Sequence, residues 1–306
     1  MTIFATGSFH GTRYVKETEF GKTPNSPRMK ALRHTSNSLV LTKDSFQSQE
    51  LRADAQISDL RHGHRRAGGE IGLEFSYGEY EDFLAAALRA SWTGSGSTRT
   101  LKAGTAMSSF TIERAFADLG RYECFTGCEV SGLSLNIATN SMVTGTMTIV
   151  GKSVDFKDAP LSADPEASRT APPFDGFAGR ITEGGSEVAV VTSLELLIDN
   201  AIEPAFVLGD DSAASLTPGR INVTGTLSAY FSGMDLLNKF VNETESSLSF
   251  TLGDGRHQSY TFTLPRIKYS GGDNPVDSEG PVMLSMPFQA LYDQAAETNL
   301  RVDAFE

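Results

Sequence analysis

The chain has 306 residues, 39% of them hydrophobic and 21% charged, enough for one large domain or two small ones around a real core. No window approaches the ~18 consecutive apolar residues of a membrane helix, and the first residues lack the basic-then-apolar run of a secretory signal. Two cysteines, Cys124 and Cys128, cannot make a disulfide framework and fit a reducing compartment, so synthesis in the cytoplasm is expected. The net charge of −12 divides into +5 over residues 1–66 and −17 over the remainder. An acidic body argues against a protein that grips DNA by neutralising phosphates, and opposed signs suit head-to-tail association of copies.

Residues 1–34 are polar and basic, contain Pro24 and Pro27, and show no sustained periodicity, which reads as an extended arm. Residues 35–152 are dense in strand signals. Between two of these strands, Ser48 to Arg66 reads as an extended basic loop carrying Arg52, Arg61, His62, His64, Arg65 and Arg66. From Glu70 to Ser76, Ile71, Leu73 and Phe75 alternate with Glu70, Gly72, Glu74 and Ser76, so a strand with one apolar and one wet face is expected. Tyr80, Phe83, Leu84, Ala87 and Leu88 then form the stripe of an amphipathic helix. Val143, Met147 and Ile149 alternate with Thr144, Thr146 and Thr148 in a further strand.

Residues 153–186 hold four of the twelve prolines, six acidic and three basic residues, the composition of a linker or irregular excursion. Residues 187–306 are again strand-rich. Ile221, Val223, Leu227 and Phe231 alternate with Asn222, Thr224, Thr226 and Ser228, and Leu236, Leu237, Phe240 and Val241 make a second, shorter helical stripe.

The two helices suggest an internal duplication. Glu70 to Leu88 corresponds to Ile221 to Val241, and Ser109–Arg114 to Ser247–Leu252. Arg121–Ile137 then corresponds to Ser259–Tyr269, and Ser141–Val150 to Val282–Leu291. Short β-rich segments resemble one another readily, yet order and spacing match here as well as residue type. The expected fold is therefore mainly β, with a first domain at 35–152, a linker at 153–186 and a second domain at 187–306.

Signals for catalysis are poor. There is no phosphate-binding loop, dinucleotide fingerprint or nucleophile elbow. Of the histidines His10, His34, His62, His64 and His257, only His62 and His64 are close, and the three arginines around them would repel a cation. Cys124 and Cys128 have three residues between them rather than the two of a redox or zinc hook. Glu70 and Glu74 could do acid–base work as a pair, but on a strand rich in hydroxyls they read better as a solvated wall. No enzyme activity, catalytic residue, metal or cofactor is expected.

Taken together, Tyr14–Pro24, Leu32–Leu39, Ser48–Arg61 leading into Gly68–Gly78 with the helix Tyr80–Trp92, Ser109–Glu113 and Phe125–Val130 resemble phage tail tube proteins. In the second half Val191–Glu195, Ile198–Asn200 and Leu264–Lys268 fit too, while 153–186 matches nothing familiar. The resemblance implies a β-sandwich whose inner sheets join between subunits into a ring-shaped barrel, with a long loop or hairpin reaching the adjacent ring; together with the duplication, the expectation is two tandem units of this kind. It implies a structural subunit of the virion tail, assembled in the host cytoplasm, whose partners are itself, the tape measure protein and the terminator or distal-tail proteins. DNA would pass through the lumen without specific binding. On this reading Glu70, Glu74, Thr144, Thr146, Thr148, Asn222, Thr224, Thr226 and Ser228 face the lumen, although alternation alone does not separate inside from outside. Arg52, Arg61, His62, His64, Arg65 and Arg66 would meet the next ring. If each half is one tube-forming unit, three chains build a pseudo-sixfold ring; a single sandwich would need six. The alternatives are a ring-forming terminator, distal-tail or secretion-tube component with the same fold and, more remotely, a carbohydrate-binding adhesin or hydrolase.

Overall fold

A computed structural model describes residues 4–176, 180–188, 190–253, 258–276 and 279–306, which leaves His257 outside the described residues. Apart from a short 3-10 turn, the elements in chain order are β1 (His10–Lys16), β2 (Lys30–Leu32), β3 (Ser36–Asn37), β4 (Val40–Gln47), β5 (Leu60–Glu74), α1 (Glu81–Ala87), β6 (Thr98–Lys102), β7 (Phe110–Phe116), β8 (Arg121–Ala138), β9 (Thr144–Gly151) and β10 (Ser153–Lys157). They continue with β11 (Arg180–Glu183), β12 (Ser186–Glu187), β13 (Val191–Asp199), β14 (Glu203–Ala205), β15 (Ser215–Thr217), β16 (Asn222–Tyr230), α2 (Asp235–Val241), β17 (Ser246–Gly253), β18 (Ser259–Tyr269), β19 (Met283–Ala290) and β20 (Arg301–Phe305). The protein is mainly β, as its alternating runs require.

The strands follow one pairing plan twice. In the first unit β1 pairs with β7, β7 with β8 and β8 with β10 in an outer layer. In its inner layer β4 pairs with β5, β5 with β9 and β9 with β8. The second unit repeats this as β11–β17, β17–β18 and β18–β20 outside, and β13–β16, β16–β19 and β19–β18 inside. All of these pairs are antiparallel. Each helix follows the equivalent strand, α1 after β5 and α2 after β16.

The long strand β8 serves both layers. Its first half pairs with β7 and β10, and after a register shift between Val130 and Gly132 its second half joins the inner layer. A bulge of this kind lets one strand bend from sheet to sheet. The two units meet where β8 pairs with β13, and again where β6 of the first adds to β20 of the second. The inner sheet therefore runs without a break across β4, β5, β9, β8, β13, β16 and β19. Its ends do not meet within one chain: among the described residues β4 pairs only with β5.

The apolar side of each alternating run is buried in one shared core. Ile71, Leu73, Phe75, Met147, Ile149, Val223 and Leu227 are at most 1% exposed. Aromatic rings link the units, with Phe75 5.7 Å from Tyr260 and 6.3 Å from Phe262. The α1 stripe is wholly buried, Phe83 lying 4.7 Å from Tyr14 and 4.9 Å from Phe110. The α2 stripe is not: Leu236, Leu237 and Phe240 are half-buried, and Val241 is 73% exposed.

Two segments without clear periodicity are also built in. Within the N-terminal segment, β1 lies along the whole of β7 and buries Thr12 and Tyr14. Within the Pro-rich segment, β10 pairs with β8, and Phe174 bridges the inner layer by hydrogen bonds from its N–H to Phe75 O and from Val143 N–H to its own carbonyl, both 2.8 Å.

Candidate functional site

The non-core face of the inner sheet gathers all nine polar positions picked out by alternation. Because the strands are antiparallel and in register, these residues form rows across the sheet. One row runs Gly72, Thr146, Ser134, Leu197, Thr224 and Gln289; the next runs Glu74, Thr144, Asn136, Glu195, Thr226 and Pro287. A third joins Glu70, Thr148, Gly132, Asp199 and Asn222, and Ser228 lies opposite Ser285 beyond them. Residues of the first two rows line an open hollow of about 810 Å³. Gln289 donates to Asn222 Oδ1 at 2.8 Å within this face.

The only charged side chains on β5, β9, β8, β13 and β16 in these rows are Glu70, Glu74, Glu195 and Asp199, all acidic. Glu195, Asp199, Ser134, Asn136 and Gln289 were not among the sequence candidates. β13 alternates Leu194, Leu196 and Ile198 with Glu195, Leu197 and Asp199, but the exposed Leu197 turns its centre into an apolar run and hides the period. Such a face offers mainly hydroxyls, amides and carboxylates to solvent; Lys268 extends the first row at its far edge, opposite Gln289 and 3.9 Å from Glu243.

Close packing keeps the sheet smooth at two Thr-Gly-Thr steps, Thr144-Gly145-Thr146 on β9 and Thr224-Gly225-Thr226 on β16. A Cβ on Gly145 would lie 2.5 Å from the Ser134 carbonyl, and one on Gly225 would strike the Glu195 carbonyl and the Phe288 ring.

The basic segment is a hairpin rather than a loop throughout. β4 and the start of β5 pair from Val40–Gly68 to Gln47–Leu60, so only 48–59 form the connection. Arginine and histidine at both inward and outward positions conceal the strand period of Leu60–Arg66 in the sequence. Residues 49–62 are all exposed. The hairpin carries exposed Val40, Phe46, Leu51, Ile57 and Leu60. Its arginines already have acidic partners in the chain: Arg52 with Asp54 and Arg61 with Asp59, each at 2.8 Å, and Arg65 with Asp211 at 2.7 Å. Arg66 lies 3.7 Å from Asp44 and over the Phe206 ring, on which His64 stacks at 4.0 Å. His62 is exposed.

Elsewhere the titratable groups are structural. Burial, with Glu113 beside it, pushes the Cys124 thiol up to about 12, and burial also raises Cys128, so neither supplies a thiolate near neutrality. His10 is held down at about 4 by burial, then by His34 at 2.9 Å and by Arg114. Glu129, 6% exposed, is pushed up to about 7 by burial and then by Glu17. Among the described residues no three His, Cys, Asp or Glu side chains are placed to hold a metal ion.

A family model described as phage tail tube protein matches residues 10–290 of the chain. The chain belongs to that family. No curated protein matches it. Membership makes it a structural subunit of the tail tube, located in the virion tail, with a non-enzymatic role. Self-assembly into the tube follows from the same family.

Proposed function

We propose that three copies of the chain close into a ring, that rings stack into the tube, and that the polar face of the inner sheet lines the channel through which DNA passes. The observation that carries this reading is the in-chain junction of β8 with β13. There two units with the same pairing plan already join edge to edge into one sheet, as neighbouring positions around a ring must. Repeating that junction between chains would close a barrel and remove the exposed edges that invite uncontrolled pairing. A heterologous contact that closes gives a ring, and rings that bind their own kind give an open-ended stack. The mainly acidic and hydroxyl character of the face supports the lumen assignment, because it repels phosphates and gives DNA little to grip. The tape measure protein inside the tube and the terminator or distal-tail proteins at its ends are the partners this role requires.

Electron cryomicroscopy of the assembled tube tests the reading. Three chains per ring with Glu74, Glu195 and Thr226 pointing inward is the expected result. Six chains per ring would remove the trimer, and these side chains on the tube exterior would remove the lumen assignment.

A further inference from the structure

The connection between β13 and β16 occupies, in the second unit, the place that the hairpin connection 48–59 occupies in the first. It does not project. Its neck is drawn shut by hydrogen bonds from Gly219 N–H to the carbonyls of Asn200 at 2.9 Å and Ala201 at 3.2 Å. That neck is fixed to the end of α1. Buried Asn200 donates to Ala87 O at 2.9 Å and Val130 O at 3.0 Å, and Arg89 donates to Gly219 O at 2.9 Å. From there β14 and β15 fold back over the first unit, where Ile202, Ala213 and Leu216 pack with Phe20, Val150 and Phe206.

The far end grips the hairpin base. Asp211 O accepts from the Arg65 N–H at 2.7 Å, on β5 just beyond Ala67, where its pairing with β9 stops. The Asp211 carboxylate meets the Arg65 guanidinium at 2.7 Å as an ion pair, and Phe206 lies between His64 and Arg66. A two-stranded hairpin standing free in water is marginal. This one has exposed residues from 49 to 62 and would sway without a brace.

We propose that residues 200–219 are a positioning element that holds the β4–β5 hairpin at the angle needed to meet the next ring. Phe206 and Asp211 are the positioning residues, and the contact itself is made by the exposed apolar side chains of the hairpin, such as Phe46, Leu51 and Ile57. The proposal rests on the stacking part of the function above. It also gives each chain one projecting hairpin for two units, so the stacking contacts of a ring follow threefold rather than sixfold symmetry.

The test compares the full chain with Phe206→Ala and Asp211→Ala, reading hydrogen exchange over 60–66, thermal unfolding, and tube formation by negative-stain microscopy. Expected is an unchanged or slightly lowered unfolding temperature, exchange of the Arg65 amide faster by about tenfold or more, and rings or short stacks in place of long tubes. Phe206→Trp, which keeps a flat ring between His64 and Arg66, should restore length. Should Phe206→Ala fail to fold, the half-exposed Asp211→Ala carries the comparison. Long tubes despite faster exchange, or unchanged exchange over 60–66 in both variants, would overturn the proposal. Deleting 49–58 is the separate control: long tubes from that variant would remove the stacking role of the hairpin itself.

Discussion

Glu129 is a buried side chain whose protonation bears on stability. It lies buried with its Oε2 unpartnered, while neighbouring Glu17 accepts from Gly21 N–H, Ser109 Oγ, Thr111 Oγ1 and Gly127 N–H at 2.7–2.9 Å. With its proton held up to about 7 in the fold against an ordinary carboxyl value near 4.5, the folded state binds a proton that the unfolded chain releases. The contribution of Glu129 to stability therefore falls as pH rises from about 4.5 to 7 and levels off above, by at most a few kcal/mol. Glu129→Gln should unfold at nearly the wild-type temperature at pH 5 and at a higher one at pH 8. Equal wild-type and variant midpoints at both pH values would show that Glu129 is not held protonated. Nothing in the sequence marked this group, because desolvation depends on what covers a residue and not on its neighbours in the chain.

At the scale of elements, legibility followed the contrast between faces. β5, β9 and β16 were readable because isoleucine, leucine, methionine and valine alternate there with threonine, serine, asparagine and glutamate. The α1 stripe was readable for the same reason at helical spacing. β1 was not, since its buried positions are Thr12 and Tyr14, whose partners across β7 supply the reason for their burial. The start of β5 was hidden by basic residues on both sides of the strand. The charge of the polar face gives the prediction that belongs to this scale. Glu70→Lys with Glu74→Lys changes the charge by +4 on two rows that flank the Gly72 row, where no basic residue stands now. Tubes should assemble normally while infectivity drops by an order of magnitude or more, roughly, as DNA is retarded by contacts of the phosphate-binding kind. Unchanged infectivity would count against a role for charge in passage.

For the whole molecule, the repeated plan makes the chain-to-chain register a definite expectation. Ser134, across from Thr146, faces Leu197, across from Thr224, at the in-chain junction. The matching positions at the free ends are Ser270, whose N–H reaches Pro287 O at 2.9 Å, and Ser38, whose N–H reaches Glu70 O at 2.9 Å. Ser38→Cys with Ser270→Cys should cross-link neighbouring chains with a short bis-maleimide in assembled tubes, stopping at a covalent trimer. Tubes that form normally but cross-link only as monomers would reject this register. The edge is guarded in the single chain: Leu39 N–H is taken by Asn37 Oδ1 at 3.1 Å, and Leu39 O by Arg114 at 2.5 Å. Such capping limits premature pairing of an exposed strand.

By itself the sequence determined the β class, the two helices, the tandem arrangement and the polar side of three strands. These depend on periodicity, and periodicity is local: each residue's face is set by its position in its own strand. Tertiary structure decided that the polar sides of both units lie on one uninterrupted sheet, that Glu195 and Asp199 share it, and that the hairpin arginines are already paired within the chain. It also decided that the β13–β16 connection folds back as a brace while its counterpart projects. Each of these depends on which strands become neighbours, and residues such as Asp211 and Arg65, far apart along the chain, meet only once the sheet has formed.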